Sequence, residues 1–375
     1  MTERLIFGNG SIEALSEYLI LKKPRSILLL HGKQSYAASG LKARLKPLLR
    51  AYNVTEWDNF SSNPSYTSLI SGLDMASKCN PDLIIASGGG SVIDMGKLVG
   101  VFHANRHLLT DRYSGSVIFE RDSVPIAAIP TTTGTGSEAT HFAVLWQDKE
   151  KFSVVHGSML PELAIVDPSL AESQPPYLRS VSALDALAQG IESYWCVNST
   201  DESKRYAKEA IEKVHKNLSS VSFSYEEAAI GAYAAGKAIN ITQTTAPHAV
   251  SYALTGYYGI PHGNAVFLTL PSFFEYNHNV TDDDCLDARG AVYVRETMRE
   301  LVYMLGANDI GEAVYNLRDI LHRQNISGGL SDYGITAEAI DHIVKNGFNP
   351  QRVNNNPRLL TENTLRSILT SIIHE

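Results

Sequence analysis

The sequence predicts an α/β half built on a mostly parallel sheet, followed by an all-helical half. Three observations carry this. Short apolar runs at 26–30, 82–86 and 124–129 show no polar alternation, and each leads into a turn containing glycine. Stretches with helical spacing lie between these runs. After Pro175-Pro176 the strand-like runs stop and helical periodicity alone continues. Strands apolar on both faces belong to parallel sheets covered by helices. Strand–helix alternation is how such sheets are wound.

The elements follow in order. Ser26-Ile27-Leu28-Leu29-Leu30 is the first strand and ends at His31-Gly32. Residues 41–52 have helical spacing with basic residues between the apolar ones, 54–57 is a weak strand and 66–79 a helix. The strand at 82–86 opens into Ser87-Gly88-Gly89-Gly90, and 92–103 is helical. The strand at 124–129 ends in Pro130-Thr131-Thr132-Thr133-Gly134. Residues 142–147 and 152–155 flank Asp148-Lys149-Glu150 and read as an antiparallel hairpin. One more short strand, 162–166, precedes Asp167-Pro168. Helices are expected at 182–195, 201–218, 225–240, 289–305, 309–324, 337–346 and 362–373. Ser182 is placed to cap the first of them, with Asp185 at the capping-box position. The proline pair is a natural boundary, so the expected domains are 1–175 and 176–375.

Composition excludes several classes. The net charge is −8, which offers no footprint for a nucleic-acid backbone. No run reaches the ~18 apolar residues of a membrane span. Met1-Thr2-Glu3-Arg4-Leu5 lacks the basic and apolar regions of a signal peptide. Cys79, Cys196 and Cys285 are odd in number and widely spaced, which fits unpaired thiols in a reducing compartment. The cytoplasm is the expected location, with no nucleic-acid or membrane partner.

Four constellations carry chemistry. Gly88-Gly89-Gly90-Ser91 lies between a buried strand and a helix. Glycine lets a ligand approach the backbone, and the N–H groups of a helix start attract phosphate. Pro130 to Glu138 offers small hydroxyls among glycines after another buried strand. In open α/β sheets, ligands bind at that edge. Asp185 and Gln189 are four apart on an expected helix and share a face. His248 and His262, fourteen apart, are the usual kind of metal ligand, with a carboxylate as the hard partner.

Taken together, and with Phe7-Gly8-Asn9-Gly10 at the start, these motifs resemble the iron-containing (group III) alcohol dehydrogenase family over nearly the whole chain. The resemblance implies a nucleotide-binding α/β domain, a helical domain, and a cleft between them that holds a divalent metal, Fe2+ or Zn2+. It also implies NAD(H) or NADP(H) as cofactor and a small aldehyde or alcohol as substrate. On that likeness Gly88, Gly89, Gly90 and Ser91 contact the pyrophosphate, Asp94 lies near the nicotinamide half, Thr131, Thr132 and Thr135 lie along the cofactor, and Lys151 lies near the ribose. Asp185, His248 and His262 match three of the four metal ligands.

The sequence departs from the family pattern in three places. Gln189 stands where the fourth ligand is usually histidine. It ligates as a weak neutral donor, yields its place to water, or leaves the site poor in metal. A retained metal is expected, because three ligands already make an open catalytic site. Tyr252 replaces a family histidine assigned to proton relay; a phenol can donate a proton, and a packing role is the alternative. His31-Gly32-Lys33 lacks the acidic residue that repels a 2′-phosphate, so NADP is permitted beside NAD.

A narrower likeness runs through Gly236-Lys237-Ala238-Ile239-Asn240 and Asn349-Pro350-Gln351-Arg352-Val353-Asn354, toward the phosphonoacetaldehyde reductase subgroup. Its substrate needs cations, and Lys237 and Arg352 are the candidates. The expected reaction is aldehyde reduction, with Tyr252 and His262 as catalytic candidates and a homodimer as the default assembly. A general alcohol or polyol dehydrogenase of the same family, a lyase resembling dehydroquinate synthase, and a nucleotide-binding protein without turnover are the alternatives.

Overall fold

The computed structural model describes residues 4–115 and 117–374. Met1, Thr2 and Glu3, read above for a leader, lie outside them, as does the Gln351 side chain. The chain divides into two compact units, Met1–Pro175 and Pro176–Glu375.

The first unit runs β1 (Arg4–Phe7), α1 (Leu15–Lys22), β2 (Ile27–His31), α2 (Ser35–Ala38), α3 (Leu41–Leu49), β3 (Val54–Trp57), α4 (Tyr66–Cys79), β4 (Leu83–Gly88), α5 (Gly90–Ala104), β5 (Ile126–Pro130), β6 (Phe142–Gln147), β7 (Glu150–Val155) and β8 (Leu163–Val166). Six strands form one parallel sheet in the order β1-β8-β5-β4-β2-β3. β6 and β7 pair separately as the expected antiparallel hairpin.

The absence of alternation now has its cause. Leu28, Leu30, Ile84, Ala86, Ile126 and Ala128 pack with Leu69 and Leu73 of α4 and with Val99 of α5 on one face. Ile27, Leu29, Leu83, Ile85, Ala127 and Ile129 pack with Leu15, Leu19 and Leu45 of α1 and α3 on the other. Both faces are covered, so these runs are apolar at every position. The edge strand β1 and helix α1 escaped the sequence reading. β1 is only half covered (Leu5 is exposed), and its apolar run, Leu5-Ile6-Phe7, is too short to stand out.

Sheet order reverses between β2 and β4. From β2 the chain moves outward to β3, then returns to the far side of β2 as β4 and continues to β5. Ligands of open α/β sheets bind at the carboxyl ends of the strands beside such a switch point. Here those ends are His31-Gly32 and Gly88 to Ser91.

The second unit is helical: α6 (Pro176–Trp195), α7 (Asp201–Ser219), α8 (Tyr225–Thr242), α9 (Ala246–Tyr258), α10 (His262–His278), α11 (Ala291–Met304), α12 (Ile310–Arg323), α13 (Ile340–Gly347), α14 (Pro350–Val353) and α15 (Glu362–Ser371). Two expectations need correction. α6 begins at Pro176, so Ser182 lies inside the helix and not at its N-cap position. Proline is well suited to a first helical position, where its missing N–H costs no bond. Helices α9 and α10 were not foreseen. Residues Gly263 to Phe274 are buried without a break, and most of α9 is buried too. A helix covered all round shows no amphipathic period. Among the described residues, no helix is long and apolar enough to cross a membrane.

Candidate active site

In the first unit the two predicted loops lie side by side. Gly88 and Pro130 are register partners at the ends of β4 and β5, and Thr131 N–H donates to the Gly88 carbonyl at 2.9 Å. Glycine is required where the loops meet. A Cβ on Gly90 would lie 2.5 Å from Thr135 Oγ1, and one on Gly89 would touch Thr132. Gly89 caps α5, so the unpaired N–H groups of that first turn open beside Thr132 and Thr135. Thr131 Oγ1 and Thr133 Oγ1 are buried without a hydrogen-bond partner among the described residues. Ser91 Oγ donates to the Ser62 carbonyl, so this hydroxyl already holds a neighbouring loop.

Asp94 and Lys97 are successive members of one face of α5. Asp94 accepts from Ser137 Oγ and, at 2.9 Å, from the Val144 N–H. Burial pushes its carboxyl up, against the charge of Lys97, the bonds from Ser137 and Val144, and the charge of Lys151. Lys97, missed in the sequence, has no exposed surface. Its ammonium donates to Ser137 Oγ (3.1 Å), Thr140 Oγ1 (2.8 Å) and the Phe142 carbonyl (3.0 Å). This pair ties α5 to the end of the threonine loop and to the start of the hairpin. Lys151 stands on β7, opposite Trp146.

At the end of β2, His31 stacks on Tyr36 with ring centres 4.1 Å apart. Its Nε2 lies 3.5 Å from Glu56 Oε2 on β3. Glu56 is an acidic group beside the switch point that sequence reasoning did not find; Gly32 and Lys33 follow His31 directly.

The second unit gathers the candidate metal ligands. Asp185, Gln189 and Glu192 are spaced i, i+4, i+7 on α6 and share one face. His248 stands in the first turn of α9, with Pro247 before it, and His262 is the first residue of α10. Gly259, with φ 71°, makes the left-handed turn that ends α9 and lets the chain double back. Ligand atoms of Asp185, His248 and His262 all lie within 4.8 Å of one another. His248 Nε2 is 3.3 Å from Asp185 Oδ1, and the two imidazoles meet edge to face at 5.3 Å.

Glu192 completes this arrangement and was not found in the sequence. Its carboxylate accepts from His248 Nδ1 and, through the other oxygen, from Thr245 N–H (2.7 Å) and Thr245 Oγ1 (2.8 Å). On the His248 ring, burial works against a charge. The Glu192 charge, hydrogen bonds to Asp185 and Glu192, and the Asp185 charge outweigh it and raise the pKa to about 10. The donor set fits a divalent cation: one carboxylate, two imidazoles, and a buried Gln189 Oε1 that has no hydrogen-bond partner among the described residues. The Asp185 and Glu192 charges balance such an ion.

Sequence comparison decides the family. The profile "Iron-containing alcohol dehydrogenase" matches residues 2–168, and "Fe-containing alcohol dehydrogenase family, C-terminal" matches residues 180–373. The chain belongs to the iron-containing alcohol dehydrogenase family. It is an oxidoreductase. Phosphonoacetaldehyde reductase of Streptomyces viridochromogenes is 32% identical over 304 residues, covering 77% of this chain and 75% of that protein. Sulfoacetaldehyde reductase of Bilophila wadsworthia is 27% identical over 98% of this chain and 96% of its own. Among solved structures, sulfoacetaldehyde reductase from Bifidobacterium kashiwanohense in complex with NAD+ superposes with TM-score 0.86 at 27% identity, covering 99% of this chain and 97% of that one. The iron-containing alcohol dehydrogenase from Thermococcus thioreducens gives 0.88 at 25% identity, covering 99% and 98%.

In this iron-containing alcohol dehydrogenase, Tyr252 lies one turn along α9 from His248, its ring centre 6.3 Å from that of His262. Arg352, on α14, is buried and donates to Gln243 Oε1 at 2.6 Å. Gln243 begins the connection from α8 to His248 and takes a left-handed φ of 63°. Lys237 on α8 lies 5.8 Å over the Tyr206 ring of α7. The Arg352 bond thus reaches the segment leading to the histidine, and the Lys237 ammonium lies over a ring of α7.

Proposed function

We propose that this dehydrogenase reduces a small anionic aldehyde, phosphonoacetaldehyde first among them, to its primary alcohol with NADH or NADPH and a divalent metal. The Asp185–His248–His262 trio, with the first two residues buried and His262 half-buried, carries the reading. Two relatives support the substrate class, being named for phosphonoacetaldehyde and sulfoacetaldehyde, aldehydes whose head groups are oxyanions. A solved neighbour in complex with NAD+ supports the cofactor. Cys79, Cys196 and Cys285 are unpaired, in keeping with a cytoplasmic protein; a homodimer is the assembly we infer.

Asp185, His248 and His262 would hold iron or zinc, with Gln189 Oε1 as the fourth donor. Gly88, Gly89, Gly90 and Ser91 would hold the pyrophosphate, with Thr131, Thr132 and Thr135 along the cofactor, Asp94 toward the nicotinamide and Lys151 toward the ribose. When bound, the reduced nicotinamide supplies hydride and the metal supplies Lewis acidity. The chain's own residues position and protonate. N–H groups at the start of α5 orient the dinucleotide. The Tyr252 hydroxyl holds the proton that the product oxygen takes up, beside His262. The Arg352 guanidinium meets the head group and Lys237 adds a second cation.

One observation favours a second reading, reduction of neutral aldehydes: Arg352 already donates to Gln243. A kcat/KM panel over phosphonoacetaldehyde, sulfoacetaldehyde, lactaldehyde and propionaldehyde, with NADH and with NADPH, separates the two. The anionic aldehydes are expected to be preferred by about tenfold or more, and Arg352→Gln to reduce phosphonoacetaldehyde far more than propionaldehyde. Equal constants for charged and neutral aldehydes support the second reading.

A further inference from the structure

We infer that Glu192 is a positioning residue of the metal centre: it turns the His248 ring so that Nε2 faces Asp185, and it supplies the second negative charge beside the ion. The inference rests on the metal reading above and deepens it. Glu192 has no exposed surface, so it meets neither substrate nor solvent and acts through what it touches. A buried carboxylate is tolerated only when its oxygens are engaged. Here one oxygen accepts from His248 Nδ1 and the other from both Thr245 N–H and Thr245 Oγ1. Thr245 Oγ1 in turn accepts from Trp195 Nε1 at 2.9 Å. Donors on both sides stop the carboxylate from rotating.

The consequence falls on His248. With Nδ1 given to Glu192, the nitrogen left for a ligand is Nε2, the atom 3.3 Å from Asp185 Oδ1. A carboxylate behind a ligating imidazole fixes its tautomer and raises its basicity. The second histidine follows the same logic with a weaker partner: His262 Nδ1 lies 3.3 Å from Ser251 Oγ, whose own proton goes to the His248 carbonyl at 2.7 Å. Glu192 and His248 sit on α6 and α9, so one side chain also sets the two helices at the site.

Metal affinity separates this role from simple bracing of two helices. Metal-stripped native protein, Glu192→Gln and Thr245→Ala are titrated with Zn2+ against a chelating indicator, and thermal unfolding is recorded for each. Both variants lose a bond between α6 and α9, but only Glu192→Gln loses the charge behind His248. The expected result is a loss of affinity of about 10- to 100-fold in Glu192→Gln and a far smaller loss in Thr245→Ala, whatever their melting temperatures. Native-like affinity in Glu192→Gln overturns the positioning role and leaves the metal site standing. No stoichiometric Zn2+ binding by the native chain overturns the metal reading and this role with it. Should Glu192→Gln fail to fold, imidazole 15N spectra of Zn2+-loaded native protein decide. A proton on His248 Nδ1 with Nε2 coordinated supports the role; coordination through Nδ1 overturns it.

Discussion

Gly263 presses on Val181 so closely that a Cβ on the glycine would lie 2.1 Å from the valine carbonyl oxygen. The same Cβ would meet the Asp185 backbone N at 3.1 Å. The residue after His262 is therefore the point where α10 closes on α6, and the absence of a side chain brings His262 to Asp185. Backbone cannot yield as a flexible side chain can. Gly263→Ala is expected to lower stability by about 1–3 kcal/mol and to weaken Zn2+ binding, measured by urea unfolding and chelator competition. Unchanged binding in a destabilised variant would separate this packing from the metal site.

Gln189 offers a neutral oxygen where imidazole is the better donor to zinc. Gln189→His is expected to tighten Zn2+ binding by about tenfold or more. Competition with a chelator of known affinity measures it. An unchanged constant means that position 189 does not reach the ion.

Lys97 is a fully buried ammonium with oxygen partners on both the Ser137 turn and β6. Lys97→Met removes the charge and strands those oxygens. The expected cost is about 3 kcal/mol or more in urea unfolding. NADH binding, read by nicotinamide fluorescence, should weaken too, because the Thr131–Thr135 segment is anchored through Ser137. Native stability in the variant contradicts the assignment.

Burial pushes the Cys196 thiol up to about 12. A thiol reacts as its thiolate, so Cys196 should be silent toward a disulfide reagent at pH 8 in the folded protein and react on unfolding. Cys196→Ser should leave the native thiol count unchanged. A lower count would show that Cys196 is reached in the native state.

Much of the first unit was legible because strands covered on both faces leave unbroken apolar runs, and because Gly90 has no room for a side chain against Thr135. The candidate metal ligands Asp185, His248 and His262 could be named only through the motif pattern, since buried α9 and α10 carry no period of their own. Glu192 and Lys97 were missed for a related reason: a charge inside an apolar stretch reads as an interruption until its partners are seen. Two signals could have found them. Glu192 continues the spacing of Asp185 and Gln189, and Lys97 falls within the long apolar run of α5, three residues after Asp94.

Metal-dependent reduction of an aldehyde by a nicotinamide cofactor is open to one direct test. The direct measurement follows NADH and NADPH absorbance on adding phosphonoacetaldehyde to native protein, to metal-stripped protein before and after reloading with Fe2+ or Zn2+, and to Asp185→Ala. The account predicts one cofactor oxidised per alcohol formed, loss of turnover on stripping, recovery on reloading, and a silent Asp185→Ala. Full turnover in both the stripped protein and Asp185→Ala would contradict it.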